Sequence, residues 1–374
     1  MLKAKALVDG KNTLEAINIL SSALDSEKNS KLYLKRADIY ISLNQLDKAI
    51  SDLKEADGME PGIGSYGLAR AYSLKGDPAM AISYLEKNMN SAYKIGEKEV
   101  LLDKYLTKIS NTPEWKQFIK KDWYSKIESS ISEIEYYVSL GRTSEALEIL
   151  KDLENNYPED PRLSYIKGYI AYANDQYREA MLIMVPLVDD EPYNVEYLNL
   201  LANSRFAMKN YAGAAESYLR LLNIGSDDAS LLLKLAECYK GIFAYDKAIS
   251  YIDIYLSLYP SNVDALNIGG SIERASGNYT NALRYYSKCL DEDSGEPRFY
   301  IDRADTYFVL KSWELAANDY GMALDLNPGN AESWLNKGIS HLNLKQLETG
   351  CFCLEMAKKM GNDKASSLLE RNCD

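Results

Sequence analysis

The sequence contains few of the residues that catalysis and metal binding require. It has one histidine, His341, and five cysteines, no two of which form a Cys-x-x-Cys pair. Ser-His-Asp and Cys-His mechanisms would have no free base, because His341 falls at an aromatic core position of the pattern described below. Cys351 and Cys353 lack the spacing of a zinc site, and there is no Walker-type lysine motif. We therefore expect no enzyme activity, no metal and no cofactor.

Long apolar runs and an excess of positive charge are also missing. No stretch approaches the roughly 18 apolar residues of a membrane-spanning helix. Lys and Arg total 43 against 55 Asp and Glu, and the net charge of −12 disfavours binding to a phosphate backbone. No signal peptide is visible. We predict no transmembrane segment and no nucleic-acid partner, and we interpret the acidity as a solubility feature of exposed helix faces.

A pattern of 34 residues returns seven times between positions 127 and 364. One small residue marks each unit, at Ala146, Ala180, Ala214, Ala248, Ala282, Ala316 and Gly350. Within a unit, apolar residues recur at three- and four-residue spacing and are interrupted midway by Gly, Asn or Asp, which predicts two helices. Small residues at the crossing point let the helices approach, and tyrosines fill the wider gaps. Each pair leaves an apolar face uncovered, so we predict an all-α array of stacked antiparallel helix pairs.

The unit that starts at Pro297 shows the pattern most completely, with Tyr300, Ala304, Tyr307, Ala316, Tyr320, Ala323 and Pro328. This pattern resembles the tetratricopeptide repeat. Two units depart from it, since His341 and Glu273 stand where tyrosine is usual. The resemblance implies a right-handed superhelical solenoid of about ten helix pairs with a C-terminal capping helix.

The pattern divides the chain into four segments. These are looser repeats at 1–90, a degenerate repeat or junction at 91–126, seven regular units at 127–364 and a capping helix at 365–374. Gly62 to Gly67 matches the G-x-G-x-x-G dinucleotide pattern, but a predicted helix precedes it where a strand is needed, so we assign it to an inter-repeat turn. The helical pattern begins at Met1 without a cap. We expect an upstream leader or helix to have been removed, with a natural start as the alternative.

The junction has its own helix signals. The spacing of its apolar residues predicts a helix over Glu97–Ile109. Thr112 and Pro113 then supply a cap and a first helical residue for a helix that carries Trp115 and Trp123. We expect the two tryptophans to pack within the junction; the alternative is a partner site, because exposed tryptophan favours interfaces.

In the repeats that this chain resembles, the first helix of each pair lines a concave groove at its second, fifth, ninth, twelfth and thirteenth positions. Carried over, these positions give the candidate peptide-binding residues Tyr165, Tyr169, Tyr172, Asn199, Asn203 and Phe206. Farther along they give Glu237, Lys240, Asn267, Arg274, Asp305 and Phe308. Tyrosine offers rigid amphipathic surface, and asparagine bonds both donors and acceptors of a peptide backbone. Alternatively, the tyrosines merely pack against the adjacent helix.

One subtype of the family is disfavoured. Repeats that clamp the acidic C-terminus of heat-shock chaperones resemble one another in a lysine and asparagine pair at the fifth and ninth positions. The nearest pair here is Asn199 with Asn203, without the lysine.

The end of the chain, from Gly350 to Cys373, resembles the ends of bacterial cell-envelope repeat proteins. Antiparallel stacking would bring Cys351 near Cys373, with Cys353 as the competing partner; the alternative is that all cysteines are small buried thiols. A disulfide would imply an oxidising compartment. We expect a bacterial cell envelope or periplasm, with the cytoplasm as the alternative.

These observations favour a non-catalytic scaffold or adaptor that binds a protein or peptide in its groove. The alternative is a structural subunit that assembles into a homo-oligomer through its end caps and convex face, without a groove ligand.

Overall fold

Helices account for all regular structure in the computed structural model, which describes residues 1–373. The predicted all-α class is therefore confirmed. The described chain forms two compact units, one of Met1–Met208 with Arg220–Asp228 and one of Lys209–Leu219 with the residues from Ala229 onward. Among the described helices, none combines the length and apolar character needed to cross a membrane.

The N-terminal segment and junction contain the helices α1 (Leu2–Asp9), α2 (Thr13–Ser26), α3 (Ser30–Ser42), α4 (Leu46–Met59), α5 (Ser65–Lys75), α6 (Pro78–Met89), α7 (Glu97–Leu102) and α8 (Pro113–Phe118). The regular array contains α9 (Lys126–Ser139), α10 (Thr143–Asn156), α11 (Arg162–Ala173), α12 (Tyr177–Asp190), α13 (Val195–Ala207), α14 (Tyr211–Asn223), α15 (Ser230–Gly241), α16 (Tyr245–Leu258), α17 (Val263–Ala275), α18 (Tyr279–Glu292), α19 (Pro297–Val309), α20 (Trp313–Leu326), α21 (Ala331–Asn343) and α22 (Leu347–Lys359). The last helix is α23 (Asp363–Asn372), and Asp374 of the predicted cap lies outside the described residues.

The same turn separates the two helices of every regular pair. Seven residues at equivalent positions have positive φ, namely Gly141, Asp175, Lys209, Phe243, Gly277, Lys311 and Lys345. A left-handed residue at this place ends a helix. The first helices of several pairs begin with a side-chain cap, because Asn194, Asn262 and Asn330 each accept hydrogen bonds from backbone N–H groups of the following turn. Turn and cap together fix where each helix starts and stops.

Small residues lie where paired helices cross, as predicted. A Cβ atom built on Gly270 would lie 2.5 Å from the ring of Tyr286, and one built on Gly350 would lie 3.2 Å from the carbonyl oxygen of Gly338. Real Cβ contacts of this length are strained, so these crossings leave no room for a larger residue. Tyr286 and Tyr320 are fully buried. Small residues therefore occupy the helix crossings, and tyrosines fill the wider gaps.

The predicted helix over Glu97–Ile109 is wrong. The chain forms only α7, then an extended residue at Asp103, then a short 3-10 helix at Leu106–Ile109. The carboxylate of Asp103 accepts hydrogen bonds from the Tyr105 backbone N–H at 2.7 Å and from the Tyr66 hydroxyl at 2.7 Å. An Asp side chain bonded two residues onward offers the backbone an alternative to helix, and the bond to α5 holds it there.

The tryptophans of the junction pack within it. Trp115 is 7% exposed, and the Trp123 indole N–H donates to the Phe118 carbonyl oxygen at 2.8 Å. The Trp123 ring lies 5.1 Å from that of Phe118. The predicted cap at Thr112 is confirmed, because its side chain accepts from the Trp115 backbone N–H. Trp123 lies beyond the end of α8, so it is not on the helix that the sequence predicted.

The glycine-rich stretch after α4 has a packing role. Gly62 has a φ of +96°, and a Cβ on Gly67 would lie 2.5 Å from a methyl of Leu53. The glycines let α5 approach α4 closely. Because α4 is a helix, the strand that a dinucleotide site requires is not there.

Within the first unit, the N-terminal helices contact a segment far along the chain. The Lys31 ammonium donates to the Ile224 carbonyl oxygen at 3.1 Å, and Lys35 pairs with Asp227 at 2.7 Å. Both contacts join residues of α3 to the segment that follows α14.

Candidate peptide-binding surface

The candidate surface is built on the first helices of three successive pairs. Within the first unit, α11 packs against α9 on one side and α13 on the other. Tyr165, Tyr169 and Tyr172 follow one another at helical spacing on α11, so they share a face of that helix. All three are half-buried, as are Asn199, Asn203 and Phe206 on α13. Each side chain therefore keeps part of its surface accessible.

Two of the three tyrosines come together with a third that the sequence did not suggest. The rings of Tyr165 and Tyr169 stack with centroids 6.3 Å apart, and the ring of Tyr165 lies 5.4 Å from that of Tyr197 on α13. We refer to Tyr165, Tyr169 and Tyr197 as the tyrosine cluster. Tyr172 is not part of it, because its ring contacts Tyr177 of α12 at 5.4 Å. Such aromatic pairs stabilise by about 0.5–1.5 kcal/mol beyond their buried area, which holds the cluster in place.

Sequence reasoning overlooked Tyr197 because its position in the repeat is apolar in neighbouring units, where Leu163 and Leu231 occupy it. An apolar position of this kind is typical of the core. Tyr197 is indeed buried, at 9% exposed, yet its hydroxyl makes no hydrogen bond with the described part of the chain.

Two carboxylates flank the tyrosine cluster. Burial raises the pKa of the Tyr165 hydroxyl, and the charges of Glu196 on α13 and Glu135 on α9 raise it further. Burial likewise raises the pKa of Tyr169, with Glu135 adding to the effect. Glu135 thus acts on both hydroxyl groups and Glu196 on that of Tyr165, from the two helices that pack against α11. The hydroxyls stay protonated at neutral pH and can donate hydrogen bonds.

Glu135 itself is in an anionic environment. Its pKa is raised first by burial, then by Glu196 and by Glu99 of α7, while Lys98 partly offsets the increase. The Glu135 side chain nevertheless has substantial contact with water. Glu135 and Glu196 occupy the ninth and second positions of their units, so the family register could have identified both.

The second unit carries a different polar set at the corresponding positions. Lys240 donates to the Ser271 hydroxyl at 2.7 Å, and Arg274 pairs with Asp305 at 3.2 Å. Asp305 also accepts from the Tyr320 hydroxyl at 2.7 Å. These predicted groove residues therefore bond to other side chains of the second compact unit.

Three further predicted residues of this set have other surroundings. Phe308 packs edge-on against Trp313 and Tyr320, so its ring takes part in packing. The side-chain oxygen of Asn267 is buried without a hydrogen-bond partner, and Glu237 is half-buried.

At the end of the chain, Cys351 and Cys373 are joined in a disulfide with Cα atoms 5.7 Å apart. Cys353 is a buried free thiol, as are Cys238 and Cys289. The disulfide connects α22 to the residue that follows α23. His341 is half-buried, and its Nδ1 lies 2.6 Å from the side-chain oxygen of Gln346.

Family models for the tetratricopeptide repeat match residues 30–62, 66–108, 132–184 and 244–297. A DnaJ homolog subfamily C member 7 homolog from Dictyostelium discoideum is 22% identical over 229 residues, which is 57% of this chain and 42% of that protein. Sperm-associated antigen 1 from Homo sapiens is 35% identical over 71 residues, which is 19% of this chain and 8% of that protein. The chain thus spans less than half the length of either relative.

A solved structure agrees with the fold. The crystal structure of a tetratricopeptide repeat protein from Parabacteroides merdae superposes with a TM-score of 0.50 at 21% identity, covering 66% of this chain and 98% of that one. At this identity the similarity concerns the fold alone. Together with the matched family models and the repeating turns, it identifies this chain as a tetratricopeptide repeat protein.

Proposed function

We propose that this chain is a non-catalytic scaffold that binds an extended segment of a partner protein along α9, α11 and α13. The observation that supports this most is the tyrosine cluster, which combines fixed aromatic rings with accessible polar groups. Aromatic side chains with few rotatable bonds lose little entropy on binding, so they serve well as anchors. Asn199 and Asn203 on the same stretch of chain can bond both the donors and the acceptors of a peptide backbone.

A second candidate function is assembly into a structural homo-oligomer. Exposed apolar side chains on second helices of the pairs favour it, with Leu182 on α12 61% exposed and Phe352 on α22 55% exposed. Apolar surface of this kind is common at interfaces. The two functions place the partner on different helices, so substitutions can separate them.

The test is a pull-down from the native extract with the triple variant Tyr165→Ala, Tyr169→Ala and Asn203→Ala. We expect the variant to lose a partner that the unchanged protein captures, while its helical circular dichroism stays the same. Tyr193→Ala with Asn343→Ala is the control, because both side chains are exposed and neither residue belongs to α9, α11 or α13. Equal capture by the triple variant would refute the groove assignment, and capture of only further copies of the chain would favour the oligomer.

We also propose that the protein works in an oxidising compartment such as a bacterial envelope. The Cys351–Cys373 bond supports this, because disulfides seldom persist in a reducing cytosol. Mass spectrometry on protein extracted from its native cells with free thiols blocked at lysis should find these two cysteines joined. Blocked Cys351 and Cys373 would refute the assignment.

A further inference from the structure

The tyrosine cluster has an electrostatic feature that decides what kind of partner fits it. Glu135 stands on α9 and Glu196 on α13, and both raise the pKa of Tyr165 on the helix between them. A third carboxylate, Glu99 of α7, acts on Glu135 as well. Negative charge therefore acts on Tyr165 from the helices on both sides of α11.

Several other tyrosines of this protein have a cation of the chain over their rings. Arg70 lies 4.5 Å from the ring centroid of Tyr105, and Lys94 lies 4.7 Å from that of Tyr124. Arg142 and Lys247 lie over tyrosines in the same way. The pairing of an aromatic face with a cation is attractive because the ring face carries negative electrostatic potential.

The tyrosine cluster is different. No lysine or arginine among residues 1–373 lies over the ring of Tyr165, Tyr169 or Tyr197. Glu135 and Glu196 form no ion pair within the described chain. The aromatic faces and the carboxylates are thus open to a positive group of a partner, and Lys98 offsets only part of the negative charge around Glu135.

We propose that the tyrosine cluster binds a lysine or arginine side chain of the partner segment, held between Glu135 and Glu196. This inference rests on the proposed function and specifies the chemistry of its partner as a basic peptide. The cation gains contact with the ring of Tyr165 and charge attraction from the carboxylates on both sides. An acidic segment would meet like charges at the same place, which gives the surface its selectivity.

The test uses a fluorescently labelled, end-capped peptide in which lysines alternate with Gly-Ser spacers, and a matched peptide with glutamine in place of lysine. Binding is followed by fluorescence anisotropy at physiological ionic strength. We expect the lysine peptide to bind and the glutamine peptide to bind far more weakly. The variant Glu135→Gln with Glu196→Gln should weaken binding of the lysine peptide by at least about tenfold, because it removes both carboxylates that attract the cation.

The matched control is Glu148→Gln with Glu179→Gln. These residues are exposed on α10 and α12, so this variant has the same net charge but keeps the cluster. It should bind the lysine peptide as the unchanged protein does. Tyr165→Leu should weaken binding while leaving both carboxylates, and circular dichroism verifies that each variant is folded.

Three results would overturn the inference. These are equal weakening in both glutamine variants, equal binding of the two peptides, and no binding of the lysine peptide to the unchanged protein. A partner that is captured through Tyr165, Tyr169 and Asn203 but is insensitive to Glu135→Gln with Glu196→Gln would leave the scaffold function standing and remove only the cationic specificity. Capture that the triple alanine variant retains would remove the groove function itself.

Discussion

The turn between paired helices keeps one backbone conformation in all seven regular repeats, although the residue type at the turn varies. Phe243 and Lys311 adopt left-handed backbone at positions where Gly141 and Gly277 do so in other units. A residue with a side chain costs roughly 1–2 kcal/mol in the left-handed conformation. Several turns nevertheless keep this backbone conformation with such a residue. Position in the repeat, more than residue type, determines the conformation.

Two glycine substitutions separate conformation from packing. A Cβ at Gly277 or at Gly58 would meet no atom within 4 Å, but Gly277 has a φ of +86° and Gly58 is helical. Gly277→Ala should lower the free energy of unfolding by about 1 kcal/mol because alanine disfavours left-handed backbone. Gly58→Ala should raise it by about 0.5–1 kcal/mol because alanine is the better helix residue. Urea unfolding followed by circular dichroism measures both, and a change of the same sign in the two variants would contradict this account.

At the scale of helix pairs, a buried ion pair recurs that the repeat pattern did not predict. Arg36 of α3 makes two hydrogen bonds to Asp52 of α4, at 2.8 and 2.7 Å. Arg303 of α19 makes two to Asp319 of α20, at 2.7 and 2.9 Å. In each case the arginine also donates to a serine hydroxyl. Bidentate contacts of this kind fix the register of one helix against the other.

Removal of one partner tests this contribution. Asp319→Ala should lower the free energy of unfolding by about 3 kcal/mol, since it leaves the largely buried Arg303 without its counter-charge. An arginine guanidinium does not lose its proton in proteins, so Arg303 cannot escape the cost by deprotonation. Asp325→Ala on the same helix is the control, because Asp325 is exposed and should change stability little. A similar loss in both variants would contradict this account, because Asp325 has no buried counter-charge and alanine is the better helix residue.

Element prediction succeeded where the period was regular and failed where one side chain overrode it. From α9 to α22 the apolar spacing and the turn residues agree, so helix pairs could be predicted directly. At Glu97–Ile109 the apolar spacing was equally helical, but Asp103 bonds to Tyr66 of another helix and breaks the chain there. Such a bond depends on tertiary contact, which spacing along one segment does not reveal.

The same limit applies to the candidate surface. The family register located Tyr165 and Tyr169, because groove positions recur with the repeat. It did not reveal that Tyr197 completes the cluster, or that Glu99 of α7 acts on Glu135, because both depend on how separate helices come together. The contact of Lys35 with Asp227 in the first unit is of the same kind. A description in which each repeat contacts only its neighbours does not predict this contact.

At the scale of the whole chain, an array of repeats needs its last apolar face covered. Leu335 of α21 and Leu354 of α22 are buried, and Leu368 and Leu369 of α23 pack against them. α23 has only one neighbouring pair to pack on, and the Cys351–Cys373 bond ties it there across 22 residues of chain. Closing a loop of this length lowers the conformational entropy of the unfolded chain, which stabilises the folded state by about 3 kcal/mol. The stability of the end of the array should therefore depend on the redox state.

Hydrogen exchange with and without a reductant measures this dependence. Reduction should remove protection from the backbone amides of α23 first, and should lower protection in α21 and α22 by up to about 3 kcal/mol. Helices such as α3 and α4 should keep their protection, because repeats pass stability mainly to their neighbours. The variant Cys351→Ala with Cys373→Ala should behave like the reduced protein and show no further response to reductant. Uniform loss of protection along the whole chain would show that the array unfolds as one cooperative body, and unchanged protection in α23 would show that packing of Leu368 and Leu369 holds the cap without the disulfide.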